Sequence, residues 1–155
     1  LKYPIEVIGI EVDFLDANWI DDFEAKLKDI PIQILVNNAG HNLNITDPYC
    51  SIEDWNRILE LNFFTAVRLS NLLIPRMKNA GWGRIVNITS VAGVENMGPV
   101  TYGVAKASLT TYTRTMGRIL ATEGGEVAND SHFPWCCSYR GRALGSCIKR
   151  RSFPC

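Results

Sequence analysis

Apolar positions follow two alternating rhythms up to about residue 123. Ile5 to Val12 (IEVIGIEV) is short, rich in β-branched residues and almost continuously apolar, which predicts a buried parallel strand. Asp13-Phe14-Leu15-Asp16 breaks it. From Asn18 to Lys28 the apolar residues Trp19, Ile20, Phe23 and Leu27 recur every three or four positions, which predicts an amphipathic helix that Pro31 stops. Ile32 to Val36 reads as a second buried strand, ending at Asn37-Asn38-Ala39-Gly40. Ser51 followed by Asp54 resembles a capping box. The helix it opens runs through Trp55, Ile58, Asn62, Val67, Leu69 and Leu73 to about residue 79, with Pro75 in its last turns and Gly81 at its exit. Gly83 to Thr89 (GRIVNIT) predicts a third strand. Ser90 to Val100 is a loop punctuated by Gly93 and Gly98-Pro99, and Thr101 to Glu123 a further long helix.

Strands alternating with helical crossovers imply an α/β protein with a parallel sheet covered on both faces. The rhythm ends at Gly124-Gly125. A further strand is due there, but residues 126–155 show no pattern that predicts one. Composition changes at the same place. All 16 acidic residues lie at or before Asp130, whereas residues 131–155 carry Arg140, Arg142, Lys149, Arg150 and Arg151 and no acid. Cys50 stands alone in the body, while Cys136, Cys137, Cys147 and Cys155 crowd the end. The chain therefore divides into a body, 1–125, and a tail of different character, 126–155. The cysteines are too unevenly spread for a secreted disulfide framework and fit no common zinc spacing, so no metal is expected. No apolar run approaches the roughly 18 residues that cross a bilayer. No signal segment opens the chain, which points to the cytoplasm. The tail's cations are scattered, which argues against a nucleic-acid surface.

Candidate chemistry gathers at the carboxyl ends of the predicted strands, where open α/β sheets bind ligands. Tyr102 and Lys106 lie one helical turn apart on one face, so the ammonium can favour the phenolate and fit the phenol for proton exchange with an alcohol or carbonyl. Taken singly, such a pair can be coincidence. Ser90, at the tip of the third strand, can donate to a substrate oxygen or simply cap a turn. Asn62 interrupts an apolar helix, where asparagine is disfavoured. Asn37-Asn38-Ala39-Gly40 combines amides with small residues, which lets backbone approach a ligand closely or form a polar turn. Asp13, at the end of the first strand, can accept from an amino group or form a turn.

The runs ILVNNAG (34–40), LNFFTAVRLS around Asn62, GRIVNITSVAG (83–93) and TYGVAKASL (101–109) together resemble the short-chain dehydrogenase/reductases. The 28-residue step from Asn62 to Ser90 and the 12-residue step from Ser90 to Tyr102 match that family's layout. The resemblance covers about residues 5–123. It implies a partial Rossmann-like, doubly wound parallel sheet of three strands with flanking helices. It implies an oxidoreductase that moves a hydride between NAD or NADP and a small carbonyl or alcohol substrate. Tyr102 would be the acid/base, Lys106 would hold the nicotinamide ribose, Ser90 would orient the carbonyl, and Asn62 would hold a water of a proton relay. Asp13 would contact the adenine, Asn38, Ala39 and Gly40 would line the adenosine side, and Asn37 would brace the sheet. The helices at 51–79 and 101–123 are those the family pairs between subunits, so a homo-oligomer is implied.

Two departures qualify it. The family's Gly-rich TGxxxGxG turn, which binds the pyrophosphate at a helix N-terminus, is not in these 155 residues, and neither is the position that separates NAD from NADP. The tail also departs from the family's strand and Pro-Gly turn. Reading one base later from Val127, with permitted codons, restores both, so a one-nucleotide frameshift would account for it. A chain so incomplete is expected to be inactive by itself, or to serve as an interaction partner through its helices.

Overall fold

The computed structural model describes residues 6–95, 97–123 and 127–132. In chain order it holds α1 (Trp19–Lys26), β1 (Ile34–Asn37), α2 (Ile52–Leu59), a π-helical segment (Glu60–Phe64), α3 (Thr65–Asn79), β2 (Gly83–Ile88), a 3₁₀ turn (Val91–Gly93), α4 (Val100–Thr122) and β3 (Val127–His132). The strands form one parallel sheet in the order β1-β2-β3, with Ile34 opposite Arg84 and Gly83 opposite Val127.

The fold is the α/β, Rossmann-like partial sheet with flanking helices; two of its three strands, β1 and β2, are ones the pattern predicts, and the third is not. Residues 6–12 form no strand; Val7 and Ile8 are 80% and 60% exposed. An apolar β-branched run becomes a strand only when a neighbouring edge pairs with it, and among the described residues none does. Conversely, the expectation that no strand follows Gly125 fails. Residues 127–132 extend the sheet beside β2, and Val127 is buried in the core. Their polar sequence (VANDSH) hid them, because register and one buried side chain place this strand rather than alternation. The remaining tail, 133–155, with its cysteines and its cations, lies outside the described residues, as does all but the first six residues of the stretch assigned to a frameshift.

Burial along β2 alternates, with Gly83, Ile85 and Asn87 buried and the residues between them less so. On the buried face, Leu73, Ile74 and Met77 of α3, Ile85 of β2, Leu120 of α4 and Val127 of β3 form the core. Gly83 is required here: a Cβ would lie 2.5 Å from Met77 Sδ. On the opposite face Ile34 and Val36 remain 59% and 55% exposed. The double-sided cover expected of the sheet is thus provided on one side by the described helices. Two helix ends carry chemistry that directs them. Ser51 Oγ accepts from Asp54 N at 3.1 Å. Gly81 leaves α3 at φ +74°. Arg76 donates to the carbonyls of Leu27 and Ile30, 2.9 Å each, tying the end of α1 to α3.

Candidate active site

The predicted helix at 51–79 is one continuous run, but it contains a π-helical turn at Glu60–Phe64, centred on Asn62. Thr65 Oγ1 donates to Glu60 O at 2.8 Å, closing the widened turn. Single π turns inside α-helices recur at functional sites because they re-aim one side chain. Asn62 is 1% exposed. Its Nδ2 donates to Ile58 O (2.9 Å) and to His41 O (2.8 Å) in the loop after β1. Its Oδ1 is buried and without a partner among the described residues.

Lys106, on α4, is 3% exposed and donates from Nζ to Ile88 O at 2.9 Å. Burial pushes its ammonium below the usual lysine range. Tyr102, one turn earlier, is half-buried, with its ring centroid 5.7 Å from Lys106 Nζ. The helix therefore puts phenol and ammonium on the same side. Ser90 caps the 3₁₀ turn: its Oγ accepts from Ala92 N at 3.2 Å. It thus does the turn-capping work that any loop serine could, at the tip of β2.

Gly40 joins two of these groups. A Cβ on Gly40 would lie 2.8 Å from Asn62 Oδ1 and 2.9 Å from Lys106 Nζ. The NNAG loop thus rests on both side chains, and any larger residue at 40 would have to displace their ends. Asn38 and Ala39 line a pocket of about 70 Å³ together with Phe14, Asn37, Asn62 and Leu109. Asp13 stands apart. It is exposed, and its Oδ1 accepts from Leu15 N at 2.9 Å, forming a local turn.

Asn37 braces the sheet as the resemblance implied, but sequence reasoning missed Asn87, the centre of the network to which it belongs. Asn37 Nδ2 donates to Asn87 Oδ1 (2.7 Å), and Asn87 Nδ2 donates to Thr113 Oγ1 and Asn129 Oδ1 (2.9 Å each). One buried amide therefore ties β1, β2, β3 and α4 together just below the site. The available signal was Asn87 itself, a polar residue in an otherwise apolar strand. Among the described residues no three His, Cys, Asp or Glu side chains cluster as metal ligands, and no helix is long and apolar enough to cross a membrane.

A three-stranded parallel sheet with helices packed against it, a Tyr-x-x-x-Lys pair on α4 and a serine at the tip of β2 gives the chain a partial Rossmann-like architecture. The sequence pattern of the short chain dehydrogenases matches residues 3–129, and the chain belongs to that family. It is 32% identical, over 77% of its own length and 50% of the relative's, to the 3-oxoacyl-[acyl-carrier-protein] reductase FabG of Aquifex aeolicus. Among solved structures it resembles the bulky-bulky ketone specific alcohol dehydrogenase of Comamonas testosteroni, with a TM-score of 0.71, 26% identity, and coverage of 81% of this chain and 50% of that one. It also shares the fold of a 4-hydroxyisoleucine dehydrogenase complexed with NADH, with a TM-score of 0.71, 21% identity, and coverage of 79% of this chain and 55% of that one. The chain spans about half the length of these proteins.

Proposed function

We propose that this chain supplies the catalytic half of a cytoplasmic NAD(P)-dependent oxidoreductase that interconverts a small carbonyl compound and its alcohol. The observation that carries the reading is the convergence of Lys106 Nζ and Asn62 Oδ1 under Gly40, with Tyr102 one turn from the lysine. Tyr102 gives a proton to the carbonyl oxygen in reduction and takes one from the alcohol in oxidation. Ser90 donates to the same oxygen and orients it. Lys106 has three donor hydrogens; among the described residues one is spent on Ile88 O, which leaves one for a ribose hydroxyl and one for a water. The unpartnered Asn62 Oδ1 accepts from that water, opening a proton path to solvent. NAD(H) or NADP(H), when bound, supplies or accepts the hydride. Asn38, Ala39 and Gly40 would line its adenosine side and Asp13 would meet the adenine.

A second reading has its own observation. Ile34 and Val36 are exposed on the edge strand, and Phe64 and Val104 on the helices are 41% and 43% exposed. Phe63, Val104, Tyr112 and Met116 line an open groove across α4 and the π segment. This apolar surface suits pairing with a second copy through the two long helices, or an inactive chain acting as an interaction partner.

Titrating the purified chain with NADH and NADPH, followed by nicotinamide fluorescence, tests the first reading. Binding with a dissociation constant in the micromolar range favours an intact enzyme, and in the chain extended to the full length of its relatives Tyr102→Phe is expected to lower turnover about 10³-fold without weakening binding. Turnover retained in Tyr102→Phe rejects Tyr102 as the acid/base. Failure of the wild-type chain to bind either nucleotide favours the inactive chain.

A further inference from the structure

The 3₁₀ turn that follows Ser90 lies against α4 through bare backbone. A Cβ on Gly93 would lie 2.6 Å from Ala107 N, 2.7 Å from Lys106 C and 3.1 Å from Lys106 O. All three are main-chain atoms in the middle of a helix, so no side chain can rotate away to make room. One helical turn towards the N-terminus the contact is reciprocal: a Cβ on Gly103 would lie 3.0 Å from Ala92 O. Gly103 sits inside α4, where glycine costs helix stability. A glycine in such a place normally has a packing reason, and the approach of Ala92 O supplies one. Gly93 N also donates to Ser90 O at 3.0 Å, so a displacement at Gly93 is passed directly to Ser90.

We propose that Gly93 and Gly103 are positioning residues, a pair of backbone contacts that seat the Ser90 turn on α4 and so set the spacing between Ser90 and the Tyr102–Lys106 pair. The proposal rests on the functional reading above for its consequence in turnover, but its geometry can be tested without turnover. Gly93 touches α4 at the backbone of Lys106, and the strand that leads into its turn offers Lys106 the carbonyl of Ile88. A methyl at Gly93 must lift the turn and the tip of β2 away from α4, loosening the Lys106–Ile88 contact and admitting water to the buried ammonium. Gly103→Ala opposes one carbonyl oxygen at the edge of tolerable contact and should act in the same direction, more weakly. Gly9, where an added Cβ would meet nothing within 4 Å, is the control.

The experiment follows the ¹³Cε shift of Lys106 against pH in the isotope-labelled chain, for the wild type and for Gly93→Ala, Gly103→Ala and Gly9→Ala, with circular dichroism confirming the fold of each. Gly93→Ala should raise the Lys106 midpoint by about half a pH unit or more towards the ordinary lysine value, because hydration of the charged form is restored. Gly103→Ala should raise it less, and Gly9→Ala should leave it in place. A folded Gly93→Ala with an unmoved midpoint overturns the proposal. If Gly93→Ala does not fold, Gly103→Ala decides by the same criterion. Where the chain turns over, Gly93→Ala should lower kcat about 100-fold while leaving the cofactor dissociation constant near its wild-type value. A wild type without turnover would count against the oxidoreductase reading alone, since the Lys106 midpoint still reports on the clamp.

Discussion

The side-chain oxygen of Asn62 and the ammonium of Lys106 converge on one point under Gly40, 2.8 and 2.9 Å from the position of a Cβ there. They come from different helices, and the loop after β1 crosses both. Asn62 reaches that loop because a π turn aims it there, and it holds the loop through His41 O.

Gly40→Ala should therefore destabilise the chain and displace both side chains. Overpacking of this kind costs about 1–3 kcal/mol. Urea unfolding followed by circular dichroism should show the loss, and any nucleotide binding by the chain should weaken with it. A variant as stable as the wild type would mean that the loop can lift off without cost.

Asn87→Leu should be among the most damaging single substitutions in the sheet. It strands the Asn37 amide and the Asn129 carbonyl oxygen and leaves the Thr113 hydroxyl with its bond to Leu109 O alone. Losing a buried hub of this kind is expected to cost about 3 kcal/mol, read as a shift in the unfolding midpoint. A cost below about 1 kcal/mol would show that the network contributes little.

Lys106 makes stability depend on pH in a direction that can be stated. Burial lowers its pKa in the folded chain relative to the unfolded one, so the unfolded state holds the proton more tightly. Stability then rises with pH between the lowered folded value and the ordinary lysine value, and below that window the full cost of burying the charge is present. Relative to Lys106→Met, the wild type should gain stability as pH climbs through this window. Parallel unfolding curves for the two proteins across the alkaline range would contradict it.

Ile34→Lys and Val36→Lys should change solubility more than stability. Both residues lie on an edge strand, both are more than half exposed, and charge on an exposed edge opposes self-association. Sedimentation velocity should show less association in the double variant, with a thermal midpoint close to that of the wild type. Unchanged association would direct attention to the groove at Phe63 and Met116.

Residues that act through local pattern were legible in the chain. The spacing of Tyr102 and Lys106 is one helical turn in any helix, and the glycine at 81 and the cap at Ser51 stand where predicted, because these depend on neighbours a few positions away. The alternation of strand and helix, and hence the parallel sheet, follows from the same short-range periodicity.

What depends on distant partners was not legible. The most strand-like run, Ile5–Val12, leaves its described residues unpaired, while the polar run at Val127–His132 joins the sheet. Pairing is a property of two edges, and a single stretch of sequence shows only one. The π turn at Asn62, the amide hub at Asn87 and the backbone seat of the Ser90 turn on α4 likewise exist only after the helices have packed. By itself the sequence determined which residues can do chemistry and the local elements that carry most of them. Tertiary structure decided which of them meet, because Gly40, Asn62 and Lys106 lie far apart in the chain and are brought to one point only by close packing of a loop against two helices.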